Sequence, residues 1–461
     1  MQQWKWFSLA VVLAACVAGV APAAGLGQGQ AASTAGHVVL ISLDGFPAWA
    51  LEDPQLPVPT LRRLASGGAV ARGGMRPVNP TVTWPNHTSM VTGVTPARHG
   101  VLFNGLLIRK TGVPPRIEPW LDRDKMVRAR TLYDAAHERG LTTAQVDWVA
   151  IQNAPTITWE FPERPDPAGQ IAREMVQAGL LTQEDLEAFH TRNITWRDHI
   201  WTRAATHILR QHRPNLLLFH LLNLDSTHHR YGPRTPAGMT AMALLDTQVA
   251  ELLEALDETG LASQTTVFVV SDHGFKTVRR QIRPNAAFLK AGLLRAEQDK
   301  ITSAQVYSVP EGGTAIVYVT APDADGSLLA GAMQALSGVE GIAAIVEPAD
   351  FPRYGLPDPA ASDQMGVLFL TAQDGYAFTA AVGSEVVVDT APASLGSHGY
   401  VADDPDLRAL FMASGRGITP GATLDVVDVL DVAPTIARLL GIELKDVQGG
   451  VLTEMLELSH P

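Results

Sequence analysis

The residues best suited to chemistry in this chain are aspartates and histidines that recur close together. Asp225 and His229 are four residues apart, which places both on one side of a helical turn. Mixed carboxylate and imidazole ligands suit zinc, and carboxylates keep a phosphoryl oxygen close to the metal. Six ligands give three per metal and leave an open position on each for a substrate or nucleophile. The predicted ligand set is Asp44, Asp225, His229, Asp272, His273 and His398.

An isolated histidine is more often a surface residue or a hydrogen-bonded core residue than a ligand. His228, the neighbour of His229, illustrates this alternative, and we expect it to face away from the site. The complete set is harder to explain in this way because each member follows a strand-like run or a glycine turn.

Thr83 is the candidate nucleophile, in the segment that runs from Asn79 through Trp84, Pro85 and His87 to Gly93. Pro85 indicates the first turn of a helix, where free N–H groups and the helix dipole favour an anion. A metal bound to Thr83 would lower the pKa of its hydroxyl and supply the alkoxide. The alternative is that Thr83 is only a helix N-cap. No serine-hydrolase elbow and no Walker loop occurs in the sequence.

The elements that position these residues have the pattern of an α/β fold. Apolar runs at 37–43, 215–222 and 265–270 are each followed within three residues by an aspartate, and continuous apolar strands are typical of a parallel sheet covered on both faces. Helical patterns at 60–66, 130–139 and 241–257 lie between them. Ligands of such sheets bind beyond the carboxyl ends of the strands.

Composition excludes several classes of protein. The 461 residues are 46% hydrophobic and 18% charged, which excludes disorder over the whole chain. The net charge of −12 argues against a nucleic-acid partner, since such proteins are normally basic.

The N-terminus has the pattern of an export signal. Residues 1–24 are predicted to be a signal peptide with too short an apolar core to span a bilayer, and 25–36 a linker. Cleavage after Ala23 and a lipoprotein box ending at Cys16 are both open, and the second would anchor the chain to a membrane by lipid. Cys16 is the one cysteine, so the exported chain has no internal disulfide.

From about residue 37 to 456 the chain resembles the nucleotide pyrophosphatase/phosphodiesterases of the alkaline phosphatase superfamily. Five ordered motifs carry this resemblance: Leu43-Asp44-Gly45-Phe46; Thr83-Trp-Pro-Asn-His87 with Thr92-Gly93 and His99-Gly100; Asp225-Ser-Thr-His-His229-Arg-Tyr-Gly-Pro233; Ser271-Asp272-His273-Gly274; and Ser397-His398-Gly399-Tyr400.

The resemblance implies specific roles. Thr83 is similar to the family's nucleophile, with Asp44, Asp272 and His273 on the zinc that activates it. Asp225, His229 and His398 resemble the ligands of the other zinc. Asn104 would hold a phosphoryl oxygen, and Trp84 and Trp148 would lie in the substrate region. The implied fold is an alkaline-phosphatase-like core, 37–284 and 393–461, with a mostly parallel sheet between helices. Residues 285–392 are expected to form an inserted small α+β cap.

These features predict an exported two-zinc enzyme, periplasmic or an outer-membrane lipoprotein in a bacterium, that hydrolyses a small phosphodiester or nucleotide through a phospho-threonine. A phosphomonoesterase of the same superfamily is the alternative, although residues 145–153 lack the cations that the threonine phosphatases of the superfamily place there. Arg164 is the cation that a folded-back loop could bring near. A non-catalytic exported binding lipoprotein is the third possibility, and the intact ligand set argues against it.

Overall fold

The structure is a computed structural model that describes residues 36–457 except residues 324 and 393. The predicted signal peptide, Cys16 and all but the last residue of the predicted linker lie outside the described residues. Within the described part of the chain, no helix combines the length and the apolar character needed to cross a membrane.

The strands are numbered in chain order: β1 His37–Leu43, β2 Ala69–Ala71, β3 Met75–Arg76, β4 Leu106–Ile108, β5 Arg116–Glu118, β6 Thr143–Val146, β7 Trp159–Phe161, β8 Leu216–Leu221, β9 Thr265–Val270, β10 Lys276–Thr277, β11 Arg280–Ile282, β12 Leu294–Glu297, β13 Lys300–Ala304, β14 Val306–Pro310, β15 Thr314–Val319, β16 Ile342–Val346, β17 Leu368–Ala372, β18 Tyr376–Phe378, β19 Val387–Asp389, β20 Gly396–Ser397, β21 Phe411–Gly415, β22 Ala422–Leu424 and β23 Val427–Asp428.

The α-helices are α1 Pro59–Gly67, α2 Thr83–Thr92, α3 Pro96–His99, α4 Arg123–Met126, α5 Leu132–Glu138, α6 Gln170–Gln177, α7 Gln183–Glu187, α8 Ile194–Gln211, α9 Asn223–Tyr231, α10 Pro236–Glu258, α11 Pro284–Lys290, α12 Ser327–Leu336 and α13 Val432–Leu440. Short 3-10 helices occupy Ala48–Glu52, Phe189–Thr191, Ala262–Gln264, Pro348–Tyr354, Pro405–Leu407, Val429–Asp431 and Thr453–Met455.

An eight-stranded sheet forms the centre, in the order β22-β2-β21-β9-β1-β8-β6-β7. Its neighbouring strands pair in parallel except at β21, which is antiparallel to both β9 and β2. The predicted α/β class with a mostly parallel sheet is therefore confirmed. The three strands predicted from apolar runs are β1, β8 and β9, which lie side by side in the middle of the sheet.

Burial on both faces of the sheet explains why these strands have no polar alternation. In β1, Val39, Ile41 and Leu43 pack into the hydrophobic core on one face. Val38 and Leu40 pack into the core on the other. Successive side chains of a strand point to opposite faces, so a strand covered on both sides is apolar at most positions, and the few polar side chains inside these strands, Ser42 and His220, are buried.

A second, smaller sheet lies in the segment predicted to be inserted. It has the antiparallel order β14-β15-β17-β16, and its apolar residues form a core with those of α12. A three-stranded sheet, β18-β11-β19, joins Arg280–Ile282 to strands beyond residue 375, so segments on both sides of the predicted boundary at residue 285 share one sheet. The limits of the cap, 285–392, stay a prediction.

Candidate active site

The chain delivers the predicted ligands to one edge of the central sheet. Asp44 directly follows β1, and Asp272 and His273 follow β9 after one serine. Asp225 and His229 lie on α9, which begins two residues after β8 ends. Since β1, β8 and β9 are parallel neighbours, their carboxyl ends meet at the same edge.

Asp44, Asp272 and His273 form one triad, in which all three side chains are fully buried. The Nε2 atom of His273 lies 3.1 Å from Oδ2 of Asp272 and 3.5 Å from Oδ1 of Asp44. The other carboxylate oxygen of Asp272 accepts hydrogen bonds from the Gly45 and His273 N–H groups, at 3.1 and 3.0 Å. The Oδ2 atom of Asp272 is therefore directed toward the other two ligand atoms.

Asp225, His229 and His398 form a second triad, which is more open to solvent. Asp225 Oδ1 lies 3.5 Å from Nε2 of His229 and 3.7 Å from Nε2 of His398. The His229 side chain is 43% exposed, so this triad faces the solvent side of the site. The spacing of four residues does place Asp225 and His229 on one side of α9.

The two triads lie against each other. The His273 and His398 rings are stacked, with centroids 3.9 Å apart. In all three histidines Nδ1 lies near a backbone carbonyl: Thr81 for His398 at 3.0 Å, Gly396 for His229 at 3.2 Å and Gly274 for His273 at 3.3 Å. A carbonyl at Nδ1 selects the tautomer that leaves Nε2 unprotonated, which is the form that binds metal.

The site has unsatisfied charge that cations would neutralise. Asp44 Oδ1, Asp225 Oδ1, Asp272 Oδ2 and His273 Nε2 are buried and lack hydrogen-bond partners among the described residues. Burial, with the charges of Asp272 and Asp225, raises the pKa of Asp44 well above its usual range. Burial also raises the pKa of Asp225 and lowers the pKa of His273. Buried polar atoms without partners are costly, so this donor set fits two bound cations.

Thr83 is the first residue of α2, and the residue that caps the helix is Val82, with extended φ and ψ of −123° and 154°. Thr83 is therefore not the N-cap. Its segment contacts both triads, because Thr81 accepts from His398 and the Thr83 carbonyl lies 2.8 Å from Nδ1 of His87. The same His87 atom is 3.7 Å from Oδ2 of Asp272. The hydroxyl-bearing turn thus lies next to both predicted metal positions.

Asn104 lies beside this helix start. Its Oδ1 atom accepts a hydrogen bond from the Trp84 N–H group at 3.0 Å, and the residue is exposed. The Trp84 N–H is therefore not free to bind an anion, and Pro85, the next residue, has no N–H. The NH₂ group of Asn104 remains as a donor close to Thr83.

The two tryptophans predicted in the substrate region are both buried. Trp84 is 5% exposed and lies in a small apolar cluster with Val101 and Val149. Trp148 is 2% exposed and packs edge-on against His87, with ring centroids 4.8 Å apart. Trp148 thus supports His87, four residues after Thr83, and a substrate-binding role for either tryptophan stays a prediction.

Sequence reasoning missed a buried network behind the first triad. His220 Nε2 lies 3.0 Å from Oδ2 of Asp44, and His220 Nδ1 lies 3.2 Å from Oδ2 of Asp147. Asp147 has a positive φ of 56°, and burial raises its pKa to about 8. The available signal was His220 itself, the one polar residue in the otherwise apolar strand β8.

Sequence reasoning also missed Trp120. Its ring lies edge-on to Trp84, with centroids 6.4 Å apart, and the Arg164 guanidinium carbon lies 3.8 Å from its centroid. The rings of Trp120 and Trp84 therefore lie between the exposed Arg164 and Thr83. His228, in contrast, is buried and packs on Phe275, and neither triad includes it.

Comparisons with known proteins agree with this geometry. Ectonucleotide pyrophosphatase/phosphodiesterase family member 7 from Homo sapiens is 24% identical over 457 residues, covering 96% of this chain and 87% of the relative. Family member 3 from Bos taurus is 24% identical over 242 residues, 51% of this chain. This match spans only 24% of the bovine protein, so the chain corresponds to about a quarter of that relative's length.

Solved structures show the same fold. Murine ectonucleotide pyrophosphatase/phosphodiesterase 5 superposes with a TM-score of 0.69 at 17% identity, covering 91% of this chain and all of the other. An inactive variant of the same murine protein, in complex with AMP, gives 0.69 at 16% identity over 92% of this chain and all of the other.

The model of the family described as type I phosphodiesterase/nucleotide pyrophosphatase matches residues 38–401. This range contains both triads, Thr83 and Asn104. The chain therefore belongs to the type I phosphodiesterase/nucleotide pyrophosphatase family.

Proposed function

We propose that this protein is an exported enzyme that hydrolyses a phosphodiester or pyrophosphate bond of a small substrate, with two zinc ions and Thr83 as the nucleophile. The observation that supports this most is the pair of Asp/His triads, each with its ligand atoms within 4.8 Å, next to the helix start that carries Thr83. The family supports the reaction class, and the murine relative that binds AMP supports a nucleotide as one substrate.

Zinc bound by the triads would lower the pKa of the Thr83 hydroxyl and balance the charge that develops on the phosphoryl oxygens. In the proposed reaction the bond between Thr83 Oγ1 and phosphorus forms while the bond from phosphorus to the leaving oxygen breaks. The leaving oxygen takes up a proton from solvent. Water then attacks phosphorus, the bond to Thr83 Oγ1 breaks, the Thr83 hydroxyl regains a proton, and a phosphomonoester leaves.

The other residues position these groups. The NH₂ group of Asn104 would donate to a phosphoryl oxygen, while its carbonyl holds the Trp84 N–H. His220 fixes the orientation of Asp44 from behind, at 3.0 Å. Carbonyl groups hold each ligand histidine through Nδ1, so the ligands are arranged before a cation binds.

The nucleophile is tested by Thr83→Ala with Thr247→Ala, an exposed helical threonine, as the matched control. One preparation of each is assayed with an aryl phosphodiester, an aryl phosphomonoester and a dinucleoside pyrophosphate. We expect Thr83→Ala to lose all three activities while keeping its bound metal, and the control to retain them. Brief acid quenching of wild type with a phosphorus-labelled diester should trap label on the protein, and an active Thr83→Ala enzyme would refute the proposal.

Export is tested separately on protein purified from its native host. Mass spectrometry of the N-terminus distinguishes a diacyl-modified Cys16 from a chain that begins after Ala23. An intact Met1 on the native protein would contradict export and leave the catalytic proposal standing.

A further inference from the structure

A third cluster of metal-ligating side chains lies away from the candidate active site. Glu174 on α6, His207 near the end of α8 and His212 directly after α8 bring their ligand atoms within 4.8 Å of one another. His212 lies four residues before β8, whereas Asp225 lies four residues after it. The cluster therefore lies at the amino end of β8, whereas the candidate active site lies at its carboxyl end. The six residues of β8 alone separate the two sites by roughly 20 Å.

The three side chains converge on one point. Glu174 Oε2 lies 2.9 Å from Nε2 of His207 and 2.7 Å from Nε2 of His212. Gln170 donates to the other carboxylate oxygen at 2.8 Å. The Trp159 ring stacks on His212, with centroids 4.7 Å apart. The carboxylate and one imidazole are thus held in place by neighbours that are not themselves ligands, as is common around bound metals.

The charges at the cluster favour a cation. Glu174 contributes a carboxylate, the acidic ligand of the three. Both histidines lie at the C-terminal end of α8, where the helix carbonyls carry partial negative charge. The Arg210 guanidinium is paired with Glu258 at 2.7 Å, and that of Arg203 donates to the Leu180 carbonyl at 2.9 Å.

The cluster is open on one side. It lines a surface cavity of about 620 Å³, together with Gln177 and Leu180. The His207 and His212 side chains are only 9% and 16% exposed, while that of Glu174 is 26% exposed. Three converging ligands with an open fourth side are the arrangement of a zinc site that keeps one position for water.

We propose that Glu174, His207 and His212 form a third cation site, for a divalent transition metal such as zinc. The bound ion links α6 to α8 and keeps one position open to solvent. Two imidazoles and one carboxylate favour zinc over calcium or magnesium, which prefer oxygen ligands throughout. The alternative is a cluster held only by hydrogen bonds, which binds no ion.

The test compares zinc content after chelator stripping of the full chain and dialysis against Zn²⁺ alone. His207→Gln and Glu174→Gln are compared with wild type and with His137→Gln, an exposed histidine in the last turn of α5. We expect each cluster variant to bind about one equivalent less than wild type and to hydrolyse a diester at a similar rate. Equal zinc content in wild type and both variants would overturn the proposal.

Anomalous scattering at the zinc edge, from wild-type crystals grown with Zn²⁺, needs no variant. We expect a peak between the three side chains, and no peak there at full zinc saturation would also overturn the proposal. The location of each peak separates this proposal from the previous one. Zinc at Glu174 with none at the Asp/His triads would refute the two-zinc mechanism and leave the third site standing.

Discussion

Replacing Asn104 tests how the site holds a phosphoryl oxygen. The Asn104 carbonyl accepts from the Trp84 N–H at 3.0 Å, which leaves the NH₂ group of the same amide as a donor near Thr83. We expect Asn104→Ala to lower kcat for a diester roughly 10²–10³-fold, because it removes one positioned donor to developing charge, worth about 2.7–4 kcal/mol. Bound metal should not change, since Asn104 belongs to neither triad.

Asn104→Asp separates this role from a structural one. The aspartate keeps an acceptor for the Trp84 N–H but replaces the donor with a negative charge that repels the phosphoryl group. Catalytic donation therefore predicts that kcat falls in the order wild type, Asn104→Ala, Asn104→Asp. A role limited to capping α2 predicts that Asn104→Asp resembles wild type, since aspartate is a good partner at a helix N-terminus.

The assay is initial rates with an aryl phosphodiester over a range of concentrations, with metal content and Tm measured on the same samples. Asn193→Ser, which keeps the side-chain oxygen that caps α8, is the control for substituting an asparagine at a helix start. Wild-type kcat in Asn104→Asp would refute the donor argument.

Two further predictions concern the charges of the site, and a third concerns Asp198, a buried carboxyl on α8. Chelation should abolish diester hydrolysis and zinc should restore it, so full activity in protein shown to be metal-free would exclude the two-metal mechanism. Diester turnover should exceed monoester turnover at least about a hundredfold in kcat/KM, and equal rates would favour the phosphatase alternative. Burial raises the pKa of Asp198 from 3.8 to about 7, so the folded chain holds a proton that the unfolded chain loses, and stability falls as pH rises from 4 through 7. In urea unfolding measured from pH 4 to 8, Asp198→Asn should make the free energy of unfolding less dependent on pH. An unchanged pH dependence would contradict this role of Asp198.

Local pattern was sufficient to predict the elements that hold the ligands. The runs at 37–43 and 265–270 are strands with the predicted bounds, because a strand buried on both faces is apolar at nearly every position and stands out from the polar turns around it. The helix predicted at 241–257 lies within α10, where Leu245, Val249 and Leu252 are buried as the 3.6-residue period requires. Leu244, in the same apolar pattern, is 42% exposed, because one helix face cannot bury every leucine of a dense run.

Contacts between distant segments could not be predicted in this way. The Trp84–Asn104 bond joins the start of α2 to a loop twenty residues later, and the Trp120–Arg164 contact joins two loops. Each depends on tertiary packing that leaves no periodic signal in the sequence. The antiparallel strand β21 was missed for a similar reason, since it pairs with β9, which ends about 140 residues earlier in the chain.

The balance of charge at the site explains why a segment 145–153 without cations should favour a diester over a monoester as the substrate. Asp44, Asp225 and Asp272 carry three negative charges, which two divalent cations would exceed by one. A monoester dianion brings one more negative charge into this site than a diester monoanion does, and the negative charge of a Thr83 alkoxide adds to both sums equally.

The second negative charge of a monoester finds no cationic side chain in residues 145–153, the segment in which the threonine phosphatases of the superfamily place their cations. Asp147 in that segment is buried against His220, and Arg164 is held over the Trp120 ring. A hundredfold preference corresponds to about 2.7 kcal/mol, which is the size of one lost charge-assisted contact. The substitution Trp120→Ala frees Arg164 and should lower the ratio of kcat/KM for a diester to kcat/KM for a monoester. An unchanged ratio would show that Arg164 has no influence on the site.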